Sequence, residues 1–179
     1  MMRPAVFLDR DGVINRAFVR NGRPYPPASL QNLEILPQVH EALSALKAHG
    51  YSLVVVTNQP DVSRGTSSRE LVDSIHERLK CELDLDAILT CFHDDADECD
   101  CRKPKPGLLL RAAADFDIEL SSSFMVGDRR RDVEAGKRAG CRTFFIDRSY
   151  DDAPPSSCDF RVGSLIEASK IILAQLDSR

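Results

Sequence analysis

Short runs of consecutive apolar residues alternate along the chain with segments in which apolar residues recur at helical spacing. The runs lack polar alternation, which is typical of strands that are buried on both faces of a parallel sheet. Five such strands are predicted, at Ala5–Leu8, Leu53–Val56, Ala87–Leu89, Phe124–Val126 and Thr143–Ile146.

The segments between these strands predict helices at Gln38–His49, from Ser67 to about Lys80, and near Gly107–Asp115, Arg130–Ala139 and Leu165–Leu176. Ser67 and Glu70 have the spacing of a capping box at the start of the second helix. The alternation of buried strands and helices predicts an α/β fold with a doubly wound, mostly parallel, Rossmann-like sheet.

Polar residues with chemical potential stand directly after three of the predicted strands. Asp9, Thr57 and Asp128 each follow an apolar run without an intervening residue or with a single glycine between. Ligands of open parallel sheets bind beyond the carboxyl ends of the strands. The three positions therefore predict one shared site at that edge of the sheet.

The length of 179 residues fits one domain, which we expect to span residues 1–179 and to act as a monomer. A net charge of −4 disfavours a nucleic-acid partner. No apolar run approaches the roughly 20 residues that span a bilayer, and Met1–Pro4 does not begin a signal peptide, so we expect no membrane partner and a cytoplasmic location.

Four potential metal ligands crowd into one short segment. Three thiolates and one imidazole make a closed tetrahedral set, typical of structural zinc, and they are Cys91, His93, Cys99 and Cys101. Isolated cysteines elsewhere, at positions 81, 141 and 158, favour metal binding over a disulfide framework.

Two carboxylates, Asp9 and Asp11, lie two residues apart in the segment that ends at Gly12. One could attack phosphorus while the other moves protons, although a simple turn accounts for the pattern equally well. Thr57 and Asn58 could hold phosphoryl oxygens, or they could be a polar strand end.

Positive charge is concentrated in two further segments. Lys103 lies in a proline-stiffened loop and could neutralise a phosphoryl group, or it could be solvated. Asp128 could hold Mg²⁺ together with Asp9, or it could cap a helix. The three arginines at 129–131 oppose the dipole of the helix that they begin, so an anion such as Asp128, Asp132 or a substrate phosphate is expected near them, or Arg130 and Arg131 could form a plain solvated face.

Four segments, taken in order, resemble the motifs of the haloacid dehalogenase superfamily: Phe7–Asn15, Val55–Gln59, Cys101–Pro104 and Val126–Asp128. The similarity is greatest to the zinc-containing branch, which includes D-glycero-D-manno-heptose 1,7-bisphosphate phosphatases and histidinol-phosphate phosphatases. It implies the fold of that superfamily. Residues 10–56, between Asp9 and Thr57, leave no room for a separate cap domain. A small zinc-binding loop is expected at residues 91–101.

The resemblance implies a Mg²⁺-dependent phosphatase that works through an aspartyl-phosphate. Asp9 would be the nucleophile and Asp11 the general acid and base. Thr57 and Lys103 would stabilise the phosphoryl group. Mg²⁺ would bind Asp9, the Asp11 backbone carbonyl and Asp128.

The resemblance also implies that Asn58, Arg102 and Arg129 contact the substrate. Structural Zn²⁺ would be held by the four ligands Cys91, His93, Cys99 and Cys101. The expected partner is a small phosphorylated metabolite.

The most specific expectation is hydrolysis of the 7-phosphate of D-glycero-D-manno-heptose 1,7-bisphosphate. Three arginines in the segment after the nucleophile (Arg16, Arg20 and Arg23), together with Arg64 and Arg102, favour a substrate with a second anionic group. Acidic residues in the zinc-binding loop favour histidinol phosphate instead, and another sugar phosphate is a further alternative. Outside enzymes, a phosphoacceptor domain and a catalytically silent, zinc-stabilised binding module are the rivals.

Overall fold

The computed structural model describes residues 2–175 and contains eight strands. They are β1 (Ala5–Leu8), β2 (Phe18–Arg20), β3 (Arg23–Tyr25), β4 (Ser52–Asn58), β5 (Ala87–Cys91), β6 (Phe124–Gly127), β7 (Arg142–Ile146) and β8 (Phe160–Val162). Six of them form one sheet in the order β5-β4-β1-β6-β7-β8, and all five pairings are parallel.

Five α-helices cover the two faces of this sheet: α1 (Val39–Ala48), α2 (Arg69–Glu82), α3 (Gly107–Phe116), α4 (Arg130–Ala139) and α5 (Leu165–Ala174). Side chains of β1 alternate between two separate cores. Val6 and Leu8 pack on the side of α1, α2 and α5, whereas Ala5 and Phe7 pack on the side of α3 and α4. Burial of both faces is why β1 lacks polar alternation, and the predicted doubly wound sheet is confirmed.

Two structural features were not among the predicted elements. β8 was missed because it is only three residues long and only its last residue is buried. β2 and β3 form a hairpin around Asn21 and Gly22, whose φ angles are 49° and 70°. Positive φ at both positions is what a tight hairpin turn with Asn-Gly requires, so this dipeptide was a usable signal.

The predicted capping box at Ser67 is wrong by one residue. The Ser68 hydroxyl accepts a hydrogen bond from the Leu71 amide at 3.1 Å, and α2 begins at Arg69. The amides of Thr66 and Ser67 donate to the Asp61 carbonyl, which keeps this part of the chain in the preceding loop. The predicted end of the last helix, Leu176, lies outside the described residues.

No cap domain interrupts the fold between β1 and β4, where residues 2–175 show only the hairpin, a short 3₁₀ helix (Leu30–Asn32) and α1. Within the described part of the chain, no helix combines the length and apolarity needed to cross a membrane.

Candidate active site

Three neighbouring strands, β4, β1 and β6, bring the predicted site residues together at their carboxyl ends. Asp9 follows β1, Thr57 is the next-to-last residue of β4, and Asp128 follows β6. Asp9 and Asp128 line a cleft of about 260 Å³ together with Asp11, Asn58, Arg102, Lys103 and Arg129. Asp9 and Asp128 thus line the cleft as predicted from the strand ends, whereas Thr57 is buried and does not line it.

Lys103 reaches the centre of this site from the loop before α3. Its ammonium lies 2.8 Å from Asp9 Oδ1 and 2.7 Å from Asp132 Oδ1, and it donates to the Val56 carbonyl at 2.7 Å. Although burial lowers the pKa of Lys103, the carboxylates of Asp132 and Asp9 raise it on balance. Lys103 therefore stays a cation next to Asp9.

The Asn58 side chain holds the backbone of Lys103 in place. Its amide donates to the Lys103 carbonyl at 3.0 Å, and its carbonyl oxygen accepts from the Lys103 amide at 3.1 Å. Asn58 lines the cleft, but these two bonds give it the task of fixing Lys103. Asn58, which was predicted to contact the substrate, thus binds the backbone of Lys103, 45 positions further along the chain.

Asp132 was not assigned a role from the sequence, yet it lies fully buried at the site. One of its oxygens contacts Lys103, and the other accepts from the Arg129 amide at 2.9 Å. Gly127 makes room for it, since a Cβ at Gly127 would lie 2.1 Å from the Asp132 Cβ. Its position one helical turn after Asp128, in the first turn of α4, was the feature of the sequence that could have indicated a place in the site.

The Asp11 carboxylate is held by a buried arginine. Arg10 is fully buried, and its guanidinium donates to both Asp11 oxygens at 3.0–3.3 Å. The Asn15 amide donates to Asp11 Oδ1 at 2.9 Å. On its other side Arg10 Nη1 lies 3.1 Å from His76 Nε2, so the neutral ring of His76 accepts this bond. A chain of contacts thus links α2 to Asp11.

Gln59 connects the two sides of the cleft and was also missed. Its side-chain amide donates to Asp11 Oδ2 at 2.8 Å and to Thr57 Oγ1 at 2.9 Å. Its backbone amide donates to the Cys91 carbonyl at 2.8 Å. Gln59 therefore ties Asp11, Thr57 and the start of the zinc-binding loop into one network.

Burial and the charge of Arg10 lower the pKa of His76 from an ordinary 6.5 to about 4, while Asp11, Asp73 and Lys80 make smaller contributions. Between about pH 6.5 and pH 4, His76 is therefore protonated in the unfolded chain but neutral in the folded protein. The free energy of unfolding is unaffected by His76 above about pH 6.5 and decreases as the pH falls towards 4.

We expect His76→Gln to remove this acid sensitivity, because glutamine keeps an acceptor for Arg10 and does not titrate. From the two pKa values, the wild type loses about 2 kcal/mol through His76 at about pH 5. The stability difference between wild type and variant should therefore narrow by about that amount between neutral pH and about pH 5. Urea unfolding at both pH values measures it, and a difference independent of pH would contradict the assignment.

Asp9 and Asp128 form an acidic cluster that fits a divalent cation. Oxygens of Asp9, Asp128 and Asp132 lie within 4.8 Å of one another. Burial and Asp132 raise the pKa of Asp9 to about 6, and burial together with Asp9 raises that of Asp128 well above its usual range. Asp128 Oδ1 is buried without a hydrogen-bond partner, while Tyr150 donates to Oδ2 at 2.7 Å. Mg²⁺ favours such a pair of carboxylates.

Gly12 is required for this cluster. Its φ angle is +85°, and a Cβ there would lie 1.9 Å from Asp128 Oδ2. The glycine after Asp11 thus lets the loop approach Asp128 closely.

The four predicted zinc ligands converge at the end of β5. Their contacting sulfur and Nδ1 atoms lie 3.1–3.7 Å apart, for Cys91, His93, Cys99 and Cys101. Four ligands at zinc-bonding distance would stand roughly 3.5–3.8 Å apart, so the cluster has the dimensions of a closed metal site. It could hold a structural metal close to Lys103.

Arg16, Arg20 and Arg23, which were predicted to favour a substrate with a second anionic group, do not line the cleft. The hairpin does line the cleft, but through residues 24–26. Arg16 pairs with Glu34 at 2.7 Å, and Arg20 lies over the Tyr25 ring. Neither arginine lines the cleft, nor does Arg23, because these long side chains turn to solvent and to local partners.

The other predicted arginines do line the cleft, and each is paired. Arg64 contacts Asp94 at 2.5 Å, and Arg102 contacts Asp95 at 2.6 Å. Arg64 holds the pKa of Asp94 down at about 2. The acids of the zinc-binding loop are thus partly neutralised.

Comparison with known proteins adds a family to this geometry. The model of the haloacid dehalogenase-like hydrolase family matches residues 23–146. A D-glycero-beta-D-manno-heptose-1,7-bisphosphate 7-phosphatase of Vibrio cholerae is 39% identical over 83% of each chain. The Escherichia coli protein of the same name is 34% identical over 96% of this chain and 95% of its own.

A solved structure has the same fold over nearly its whole length. The D,D-heptose 1,7-bisphosphate phosphatase of B. bronchiseptica, complexed with magnesium and phosphate, has a TM-score of 0.83 and 27% identity. The match covers 96% of this chain and 99% of that one. The resemblance read from the four motifs is confirmed, and neither non-enzymatic alternative is supported. The chain belongs to the haloacid dehalogenase-like hydrolase family and is a phosphatase.

Proposed function

We propose that this chain hydrolyses the 7-phosphate of D-glycero-D-manno-heptose 1,7-bisphosphate through an aspartyl-phosphate on Asp9. The observation that carries the mechanism is the ion pair of Lys103 with Asp9 at the carboxyl end of the central strand β1. The names of the relatives with 34–40% identity support the substrate.

In the first step a carboxylate oxygen of Asp9 attacks phosphorus, and the bond from phosphorus to the sugar oxygen breaks. Asp11 donates a proton to that leaving oxygen. Lys103 and the Thr57 hydroxyl stabilise the negative charge on the phosphoryl oxygens. Arg10, Asn15 and Gln59 orient Asp11 for this transfer.

In the second step Asp11 takes a proton from a water molecule as the water oxygen attacks phosphorus. The bond between phosphorus and the Asp9 oxygen breaks, which releases inorganic phosphate and restores both carboxyl groups. The same residue thus serves as acid and then as base.

Two metal sites belong to this proposal. Asp9, Asp128 and the Asp11 backbone carbonyl would hold Mg²⁺, which when bound neutralises phosphate charge. The orphaned Asp128 Oδ1 supports this assignment. The Cys/His cluster would hold structural Zn²⁺ and brace the loop that carries Lys103.

The cleft favours a bisphosphate over histidinol phosphate, the second candidate. Arg102 and Arg129 line it, and we assign both to the substrate's anionic groups. Asp94, which could have attracted an ammonium group, is already paired with Arg64, an arginine that is not assigned to the substrate. The aminoalcohol would gain little from Asp94.

Kinetics on both substrates test this preference. We expect a higher kcat/KM for heptose 1,7-bisphosphate than for histidinol phosphate. Arg102→Ala should shrink the ratio by roughly tenfold, because it removes a charge-assisted contact to the second anion. A clear preference of the wild type for histidinol phosphate would overturn the substrate assignment.

We further propose that residues 1–179 form a single phosphatase domain that acts as a monomer on small metabolites, without a nucleic-acid or membrane partner. Metal-binding thiols fit a reducing compartment, which supports a cytoplasmic location.

A further inference from the structure

Five cations line the catalytic cleft, and four of them are matched by carboxylates. Lys103 pairs with Asp9 and Asp132, whereas the other three pairs are Arg64–Asp94, Arg102–Asp95 and Arg129–Asp152. Arg131 is the exception. Among residues 2–175 its side chain has neither a hydrogen bond nor an ion pair.

The position of Arg131 makes this lack of a partner costly. It is the second residue of α4, where the positive end of the helix dipole already disfavours a cation. The two neighbouring arginines have carboxylate partners, since Arg129 pairs with Asp152 and the exposed Arg130 lies 3.6 Å from Glu134. Arg131 instead faces the cleft.

The charge of Arg131 is only partly compensated there. Burial and the positive charge of Arg129 lower its pKa, and the carboxylates of Asp132 and Asp9 offset this only in part. An anion in the cleft would supply the missing partner. A guanidinium binds phosphate through two parallel hydrogen bonds, so phosphate is the anion that fits best.

The surroundings of Arg131 indicate which phosphate this is. The group undergoing transfer already has Lys103, which contacts Asp9 directly. Arg131 lines the same cleft as Asp9, Asp95 and Arg102, and its charge interacts with all three. Because this cleft extends from the nucleophile to the zinc-binding loop, the far end of a bound substrate would share it with Arg131.

We propose that Arg131, together with Arg102, binds the phosphate that is not cleaved and thereby contributes to the preference for a bisphosphate over a monophosphate with the same scissile group. This inference rests on the proposed function. Arg131 would thus bind the second anionic group that was predicted from the arginines at positions 16, 20 and 23.

The test compares Arg131→Gln with Arg130→Gln, which removes the same charge one residue away on the exposed side of α4. The substrates are heptose 1,7-bisphosphate and heptose 7-phosphate. In Arg131→Gln the ratio of their kcat/KM values should fall by roughly tenfold to a hundredfold, mainly through KM, because one charged contact is lost. Arg130→Gln should keep the wild-type ratio.

Two results would overturn the proposal. An equal loss on both substrates would place Arg131 at the transferred phosphoryl group, and an unchanged ratio would mean that it binds neither phosphate. A thermal melt of Arg131→Gln tests for misfolding separately, because removal of an uncompensated cation should leave Tm equal to or higher than that of the wild type.

The role of Arg131 can also be separated from the identity of the substrate. Both sugar phosphates are tested as inhibitors of aryl phosphate hydrolysis, which does not require either to be the natural substrate. Arg131→Gln should weaken inhibition by the bisphosphate selectively. Absence of turnover of the bisphosphate by the wild type would reject the proposed function, while this inhibition ratio still decides the role of Arg131.

Discussion

Asp9→Asn is expected to lower kcat by at least about a thousandfold, because an amide cannot attack phosphorus and binds a divalent cation poorly. The fold should survive the change. Asparagine is nearly isosteric, and Lys103 keeps its ion pair with Asp132. Loss of one charge also relieves the repulsion from Asp132 that raises the pKa of Asp9.

Turnover of an aryl phosphate with saturating Mg²⁺, together with a thermal melt, measures both parts of this prediction. Asp84→Asn is the matched control, since the Asp84 side chain is 78% exposed and does not line the cleft. It should have wild-type rates. Near-wild-type rates in Asp9→Asn would reject the nucleophile assignment.

Disruption of the proposed Cys/His metal site is expected to have the second largest effect on activity. Cys101 lies two residues before Lys103, and its sulfur is 3.1 Å from that of Cys91. Cys101→Ala should therefore release the metal and loosen the loop. A displacement of Lys103 by about 1 Å would lower kcat by roughly a hundredfold, and Tm should fall because metal binding contributes folding energy.

Cys81→Ala is the control, because this exposed thiol lies outside the cluster. Elemental analysis of wild type and control should find about one zinc per chain, the content of one closed four-ligand site. Protein prepared without chelators that contained no zinc, or a fully active Cys101→Ala, would contradict the structural role.

The sheet and the ends of its central strands could be predicted because they depend on local pattern. The β1 residues are buried on both faces, so their apolar run and the position of Asp9 after it follow directly. β8 could not be found in this way, since it has only three residues, one of them an exposed arginine, and its place depends on pairing with β7 and on packing with distant core residues.

Contacts between distant segments account for what sequence patterns missed in the site. Asn58 bonds Lys103 from 45 residues away, and Arg10 meets His76 from 66 residues away. No spacing rule relates such pairs. The hairpin arginines show the same limit, because the sequence placed their loop at the cleft but could not predict which side chains turn inward.

The central claim is that hydrolysis passes through a phosphoryl group on Asp9. Asp11→Asn is mixed with an aryl phosphate, whose leaving group needs no proton, and is then quenched in acid and mapped by tandem mass spectrometry. Because the variant lacks the base for the second step, one phosphoryl group should accumulate on Asp9. A phosphoryl group on any other residue, or continued turnover with none detected, would contradict the account.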